Sequence, residues 1–114
     1  MDWKESLDYF EKLVAQFPEM ERKGKTMPYT SVNGHMFSFL DKEGRMSLRL
    51  NKGDREDFLE KYDSCLSEQH GRIMKEYVLV PESLLQNTDQ LKEYMHLSHQ
   101  YTLGLKPKPT KRKK

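Results

Sequence analysis

One cysteine, Cys65, stands in the 114 residues, so an intramolecular disulfide is impossible and the lone thiol suits a reducing compartment. No apolar run approaches the ~18 residues that a membrane span needs. The opening "MDWKESLDYF" has an acid at its second position and no apolar stretch, and so does not read as a secretory signal. Neither G-x-G-x-x-G nor G-x-x-x-x-G-K occurs, which excludes the usual nucleotide cradles. Ser31, Ser38 and Ser47 lack a G-x-S-x-G setting. From these absences a soluble, cytoplasmic, non-enzymatic chain with no cofactor and no membrane attachment is expected.

Charge of one sign is also scarce, at +2 net, but it is unevenly spread. The closing "KPKPTKRKK" holds six cations, Lys106, Lys108, Lys111, Arg112, Lys113 and Lys114, and no acid. Residues 1–105 are left with 14 basic and 18 acidic groups, a body at −4 that has no general attraction for phosphate. Alternating Lys-Pro favours an extended, solvated backbone, so 106–114 is expected to be a disordered basic tail. It reads equally as a solubilising end or as a weak, sequence-blind contact for nucleic acid or another polyanion.

The twelve aromatics, all within the first 101 residues, argue for a folded body, and the length fits one domain over 1–105. Trp3, Leu7, Phe10, Val14 and Phe17 recur at steps of four and three, the apolar stripe of a helix. Asp2 and Glu5 form a capping pair at its start, and Pro18 stops it near Phe17. In "TMPYTSVNGHMFSFLDKEGRMSLRL" the period changes to two. Asn33-Gly34 suits a type I′ hairpin, and Gly44 suits a second turn that ends in a left-handed position. In the third strand Met46, Leu48 and Leu50 alternate with Ser47 and Arg49, which predicts a sheet with one buried face and one solvated face. Pro28 suits an edge strand or a bulge.

"GDREDFLEKYDSC" predicts a short helix capped by Asp54, with Phe58, Leu59 and Tyr62 inward. "IMKEYVLVP" is the last strand, with Leu66–Gln69 as a weak partner. Pro81-Glu82 starts a helical turn, Asn87-Thr88-Asp89 interrupts it, and a final helix carries Leu91, Tyr94, Met95 and Tyr101 inward. The order is α-βββ-α-(β)β-α, an α+β fold with an antiparallel meander and helices packed on the sheet.

Candidate chemistry is thin. His96 and His99, with Glu93, lie on one helix, but residues at i, i+3 and i+6 drift around it and no metal site is expected. Cys65 with His70 as base lacks an orienting third group, although a deep pocket holding both and a carboxylate would revive an enzyme. Asp54, Glu56 and Asp57 open a helix, where carboxylates favour the positive end of the dipole. The solvated sheet face offers more. Arg49, Lys75 and Tyr77 are expected to project there as contacts for a protein partner or a second copy of the chain. A basic and aromatic sheet face also suits stacking of nucleic-acid bases, with the tail supplying affinity.

The runs "MPYTSVNGHMFSFLDKEGRMSLRL", "RIMKEYVLVPESLL" and "DQLKEYM" resemble, in order and spacing, the TfoX/Sxy N-terminal-domain family over roughly residues 20–100. The shared pattern is a strand, an x-N/D-G turn, a strand with M-F, a third with alternating aliphatics, a short helix, a strand ending V-P-E and a last helix. The resemblance implies a small α+β domain related to YjbR and secretion-chaperone-like folds. It implies no catalytic residues. The founding members regulate transcription during natural competence, and many others have no known activity. Those regulators continue into a second, helix-rich domain, whereas this chain is expected to end in its basic tail, so a regulatory role through protein contacts is the leading expectation.

Overall fold

Residues 2–24 and 27–106 are described by a computed structural model of the chain. Helix α1 spans Trp3–Ala15, followed by β1 (Tyr29–Val32), β2 (His35–Leu40), β3 (Met46–Arg49) and helix α2 (Lys52–Lys61). Then come β4 (Leu66–Gln69), β5 (Arg72–Val80), the short helix α3 (Glu82–Gln86) and the long helix α4 (Thr88–Leu103). The five strands make one sheet in the order β1-β2-β3-β5-β4, and every pairing is antiparallel. The α+β class, the meander and the helices against the sheet are as the periodicities predict. Among the described residues no helix is long and apolar enough to cross a membrane.

Local chemistry accounts for most boundaries. The Asp2 carboxylate accepts from the Glu5 amide at 2.8 Å while the Glu5 side chain accepts from the Asp2 amide, a reciprocal capping box. Phe10 and Val14 of the predicted stripe are buried and Trp3, Leu7 and Phe17 partly so, with Leu13 and Ser6 buried beside them. Asn33 (φ 56°) and Gly34 (φ 79°) take the paired positive φ of a I′ hairpin. His70 (φ 54°) and Gly71 (φ 77°) do the same between β4 and β5, a second tight turn inside the run "SEQHGR". The weakly expected fourth strand is therefore a full hairpin arm. Strand β1 lies at the sheet edge and carries a register shift between Thr30 and Ser31, as Pro28 suggested.

Helix α2 corrects one expectation. Its cap is Asn51, not Asp54: the Asn51 side chain accepts from the Asp54 amide at 2.8 Å, and the helix begins at Lys52. Asp54 falls inside the first turn, where its charge still favours the helix dipole.

The main core gathers Phe37, Leu40, Met46, Leu48, Val78 and Val80 from the strands and Leu50 just after β3, with Phe10, Leu13 and Val14 of α1. Phe58 of α2, Leu84 and Leu85 of α3 and Leu91 and Met95 of α4 complete it. In β3 the alternation of Met46 and Leu48 inward is as expected, but the opposite face is not open. Ser47 is 1% exposed and its hydroxyl bonds that of Ser67 in β4; Phe39, its register partner on β2, is also 1% exposed. The cause is the path of the β4–β5 hairpin. Gln69 pairs with Arg72, eight residues before Val80, which pairs with Met46 beside the β2–β3 turn. A straight β5 would hold Gln69 roughly 26 Å from that turn. Instead the Gln69 side chain donates to Asp41 in the turn at 3.2 Å. A register shift between Leu66 and Ser67 lets the hairpin fold back, and its arm covers the face that alternation alone assigns to solvent.

Candidate functional site

Two places on this frame gather chemistry: the end of the sheet around Arg49, and a groove between α1 and α4. Arg49 ends β3 opposite Tyr77 of β5. Its side chain is 18% exposed, and Nε donates to Glu76 Oε1 at 2.7 Å. The guanidinium carbon lies 5.8 Å from the Tyr77 ring centre and 5.9 Å from that of Tyr101, which α4 delivers from the other side. The Tyr101 hydroxyl donates to Glu76 Oε2 at 3.0 Å, and the Tyr77 hydroxyl donates to the Met36 carbonyl. Burial pushes the Glu76 carboxyl up, yet the hydrogen bonds from Arg49 and Tyr101 outweigh it and the net position lies below the ordinary range. Burial raises the Tyr77 and Tyr101 phenols.

Arg49 and Tyr77 thus come together through the β3–β5 register, as members of a closed cation–π and ion-pair cluster rather than as free contacts. Lys75 is exposed on β5 and makes none of these contacts. Glu76 and Tyr101 complete the cluster. Their alternation signals only a strand and a helix face, and nothing in the spacing of residues 49, 76 and 101 announces that they meet.

The C-terminal end of α4 is tied to the β1–β2 turn at this same end of the sheet. Asn33 Nδ2 donates to the Leu103 carbonyl at 3.1 Å, and His35 Nε2 lies 2.9 Å from the Lys106 carbonyl. Lys106 is exposed. Lys108, Lys111, Arg112, Lys113 and Lys114 lie outside the described residues.

The other chemical candidates stay apart. Cys65 precedes β4 and His70 follows it, so an extended strand separates them by roughly 16 Å, far beyond hydrogen-bond reach. Ser31 pairs with Lys23, Ser38 with Thr30 and Ser47 with Ser67, none of them with a base of the triad kind. His96 is exposed while His99 is 7% exposed, and among the described residues no group of three His, Cys, Asp or Glu converges as metal ligands.

His99 packs its ring 5.4 Å from Phe37, and its Nδ1 is buried without a partner. Burial lowers its pKa, with Glu19 pulling it up and His96 pushing it down. The neutral ring therefore favours the folded state: its contribution is whole above the free imidazole value of about 6.5 and is lost as pH falls through the lower folded value. Melting curves from neutral pH to mildly acid pH are expected to fall more steeply for the natural chain than for His99→Phe. Parallel curves would show that His99 is not the group that titrates.

The second place is a groove of about 490 Å³ between the end of α1 and the outer face of α4, lined by Gln16, Phe17, Lys92, Glu93, His96 and Leu97. Its lining is mostly apolar, and Leu97 is 38% exposed. Sequence reading missed it because Phe17 belongs to the predicted core stripe and Leu97 to no stripe at all.

No family model matches this chain, and neither the curated proteins nor the solved structures yield a match.

Proposed function

We propose that this chain is a non-enzymatic, cytoplasmic domain of the TfoX N-terminal type that serves a regulatory role through protein contacts. The observation that carries the reading is the open apolar groove between α1 and α4, a concave surface with Phe17 and Leu97 in its lining and polar residues around them. The resemblance of residues 20–100 to that family adds to it. The closed state of Arg49 adds further support: its guanidinium already has Glu76, Tyr77 and Tyr101 as partners, so that end of the sheet acts as a brace for α4.

The second reading is an auxiliary nucleic-acid binder. It draws on the six cations of residues 106–114, the first of which, Lys106, is exposed beside His35. It loses its stacking platform, because Ser47 and Phe39 are covered and Tyr77 is held in the cluster.

Titration of duplex DNA and single-stranded RNA against salt separates the two, with the full chain and with a chain ending at Leu105. Tail-only contacts are expected to give a log–log slope approaching about −5 that vanishes on shortening. Binding by the shortened chain that persists near physiological salt would make the folded domain a nucleic-acid reader and replace the proposal.

A further inference from the structure

The geometry points to a second copy of this chain as the occupant of the α1–α4 groove, in a two-fold dimer that packs α4 antiparallel against its counterpart. The inference rests on the protein-contact reading above and names its partner. Lys92, Glu93, His96 and Leu97 are all exposed and lie on successive turns of one face of α4. A two-fold axis requires that residue i meet j of the copy while j meets i. With the axis midway between positions 93 and 96, Glu93 faces the imidazole of His96 in the copy, and the reverse pair forms at the same time. The same register lays the aliphatic stem of Lys92 along Leu97 of the copy.

Among these four α4 positions no like charges meet, and the two Glu93–His96 pairs flank the axis with the Lys92–Leu97 pairs outside them. Leu97 of each copy then enters the groove of the other beside Phe17, an apolar knob in a hole of about 490 Å³. The face is thus self-complementary, acid to base and knob to groove. One helix supplies the acid, the base and the knob that its own groove accepts.

Sedimentation equilibrium of the full chain tests this. The apparent mass is expected to rise from 13.6 kDa towards double across about 10 µM to about 1 mM protein. Leu97→Glu is expected to raise the dimer Kd by about tenfold or more, with an unchanged circular-dichroism spectrum because Leu97 already faces solvent. Glu93→Lys is expected to weaken the dimer by removing the acceptor that His96 of the copy faces, and Glu93→Lys combined with His96→Glu to restore it, since an acid again faces a base. A mass that stays at 13.6 kDa over the whole range overturns the dimer. So does a Leu97→Glu chain that still doubles, or a double swap that fails to restore association. A monomer that also ignores nucleic acid leaves the protein-contact reading standing with a different partner, which separates the two failures.

Discussion

Replacing Phe39 by alanine is expected to destabilise the chain by about 3–5 kcal/mol, the range for deleting a fully buried phenylalanine ring. Phe39 is 1% exposed, lies outside the main core cluster, and packs its ring 5.8 Å from Tyr77. It shares a face with Ser47, the face that simple alternation assigns to solvent. A solvated Phe39 would lose little on truncation, within about 0.5 kcal/mol. Urea unfolding of Phe39→Ala, with Ile73→Ala as the exposed control, therefore reads directly whether the sheet is covered on both faces. Ile73 is 55% exposed and is expected to change almost nothing. A small effect at Phe39 would mean that the β4–β5 hairpin does not seat against the sheet.

The second large effect belongs to Asp41. Its side chain is 5% exposed and its carboxylate accepts from the Glu43 and Arg45 amides, each at 2.9 Å, from Arg45 Nε at 3.0 Å and from Gln69 Nε2 at 3.2 Å. One group thus closes the β2–β3 turn and holds the tip of the folded-back hairpin. The Arg45 side chain is 52% exposed, so its ion pair with Asp41 contributes little. The turn amides and Gln69 matter more, because removing the carboxylate leaves them unsatisfied. Asp41→Ala is expected to cost about 2–3 kcal/mol. Hydrogen exchange separates this from general weakening: amides of residues 67–75 should open faster than those of β1 and β2. Uniform loss of protection would show that Asp41 serves the turn alone.

The same group sets an acid limit. Burial pushes the Asp41 carboxyl up, but hydrogen bonds from Arg45 and Gln69 outweigh it, and its folded pKa lies below the ordinary value. A depressed carboxylate contributes stability that is whole above the unfolded value of about 3.9 and is lost as pH falls through the folded one. Asp41→Ala should therefore flatten the acid limb of the stability profile.

Much of this molecule is legible in short windows of sequence. The stripe from Trp3 to Phe17, the Asp2–Glu5 cap, the Asn33-Gly34 turn and the alternation from Met46 to Leu50 each depend on neighbours within about one or two turns of chain. Their backbone conformations follow from sterics and from hydrogen bonds that local side chains offer. The α2 cap is misplaced by three residues at that range: sequence reading points to Asp54, whereas the helix begins at Lys52 and Asn51 caps it, because the acidic run also suits a first turn. At the candidate site, sequence placed Arg49 on the solvated face, while Glu76 and Tyr101, distant in the chain, make it a closed brace.

Sequence by itself determined which segments are helix and strand, where the tight turns fall, which β3 residues face the main core, and that the cations gather at the C-terminal end. Tertiary structure alone decided that Ser47 and Phe39 are buried, that Arg49 is spoken for, and that Phe17 and Leu97 line one groove. The physical reason is range. Helix and strand periods arise from dihedral preferences repeated along the chain, whereas burial on the second sheet face depends on how far β5 bends. That bend is held by two contacts, Ser47 with Ser67 and Asp41 with Gln69, whose partners lie 20 and 28 residues apart.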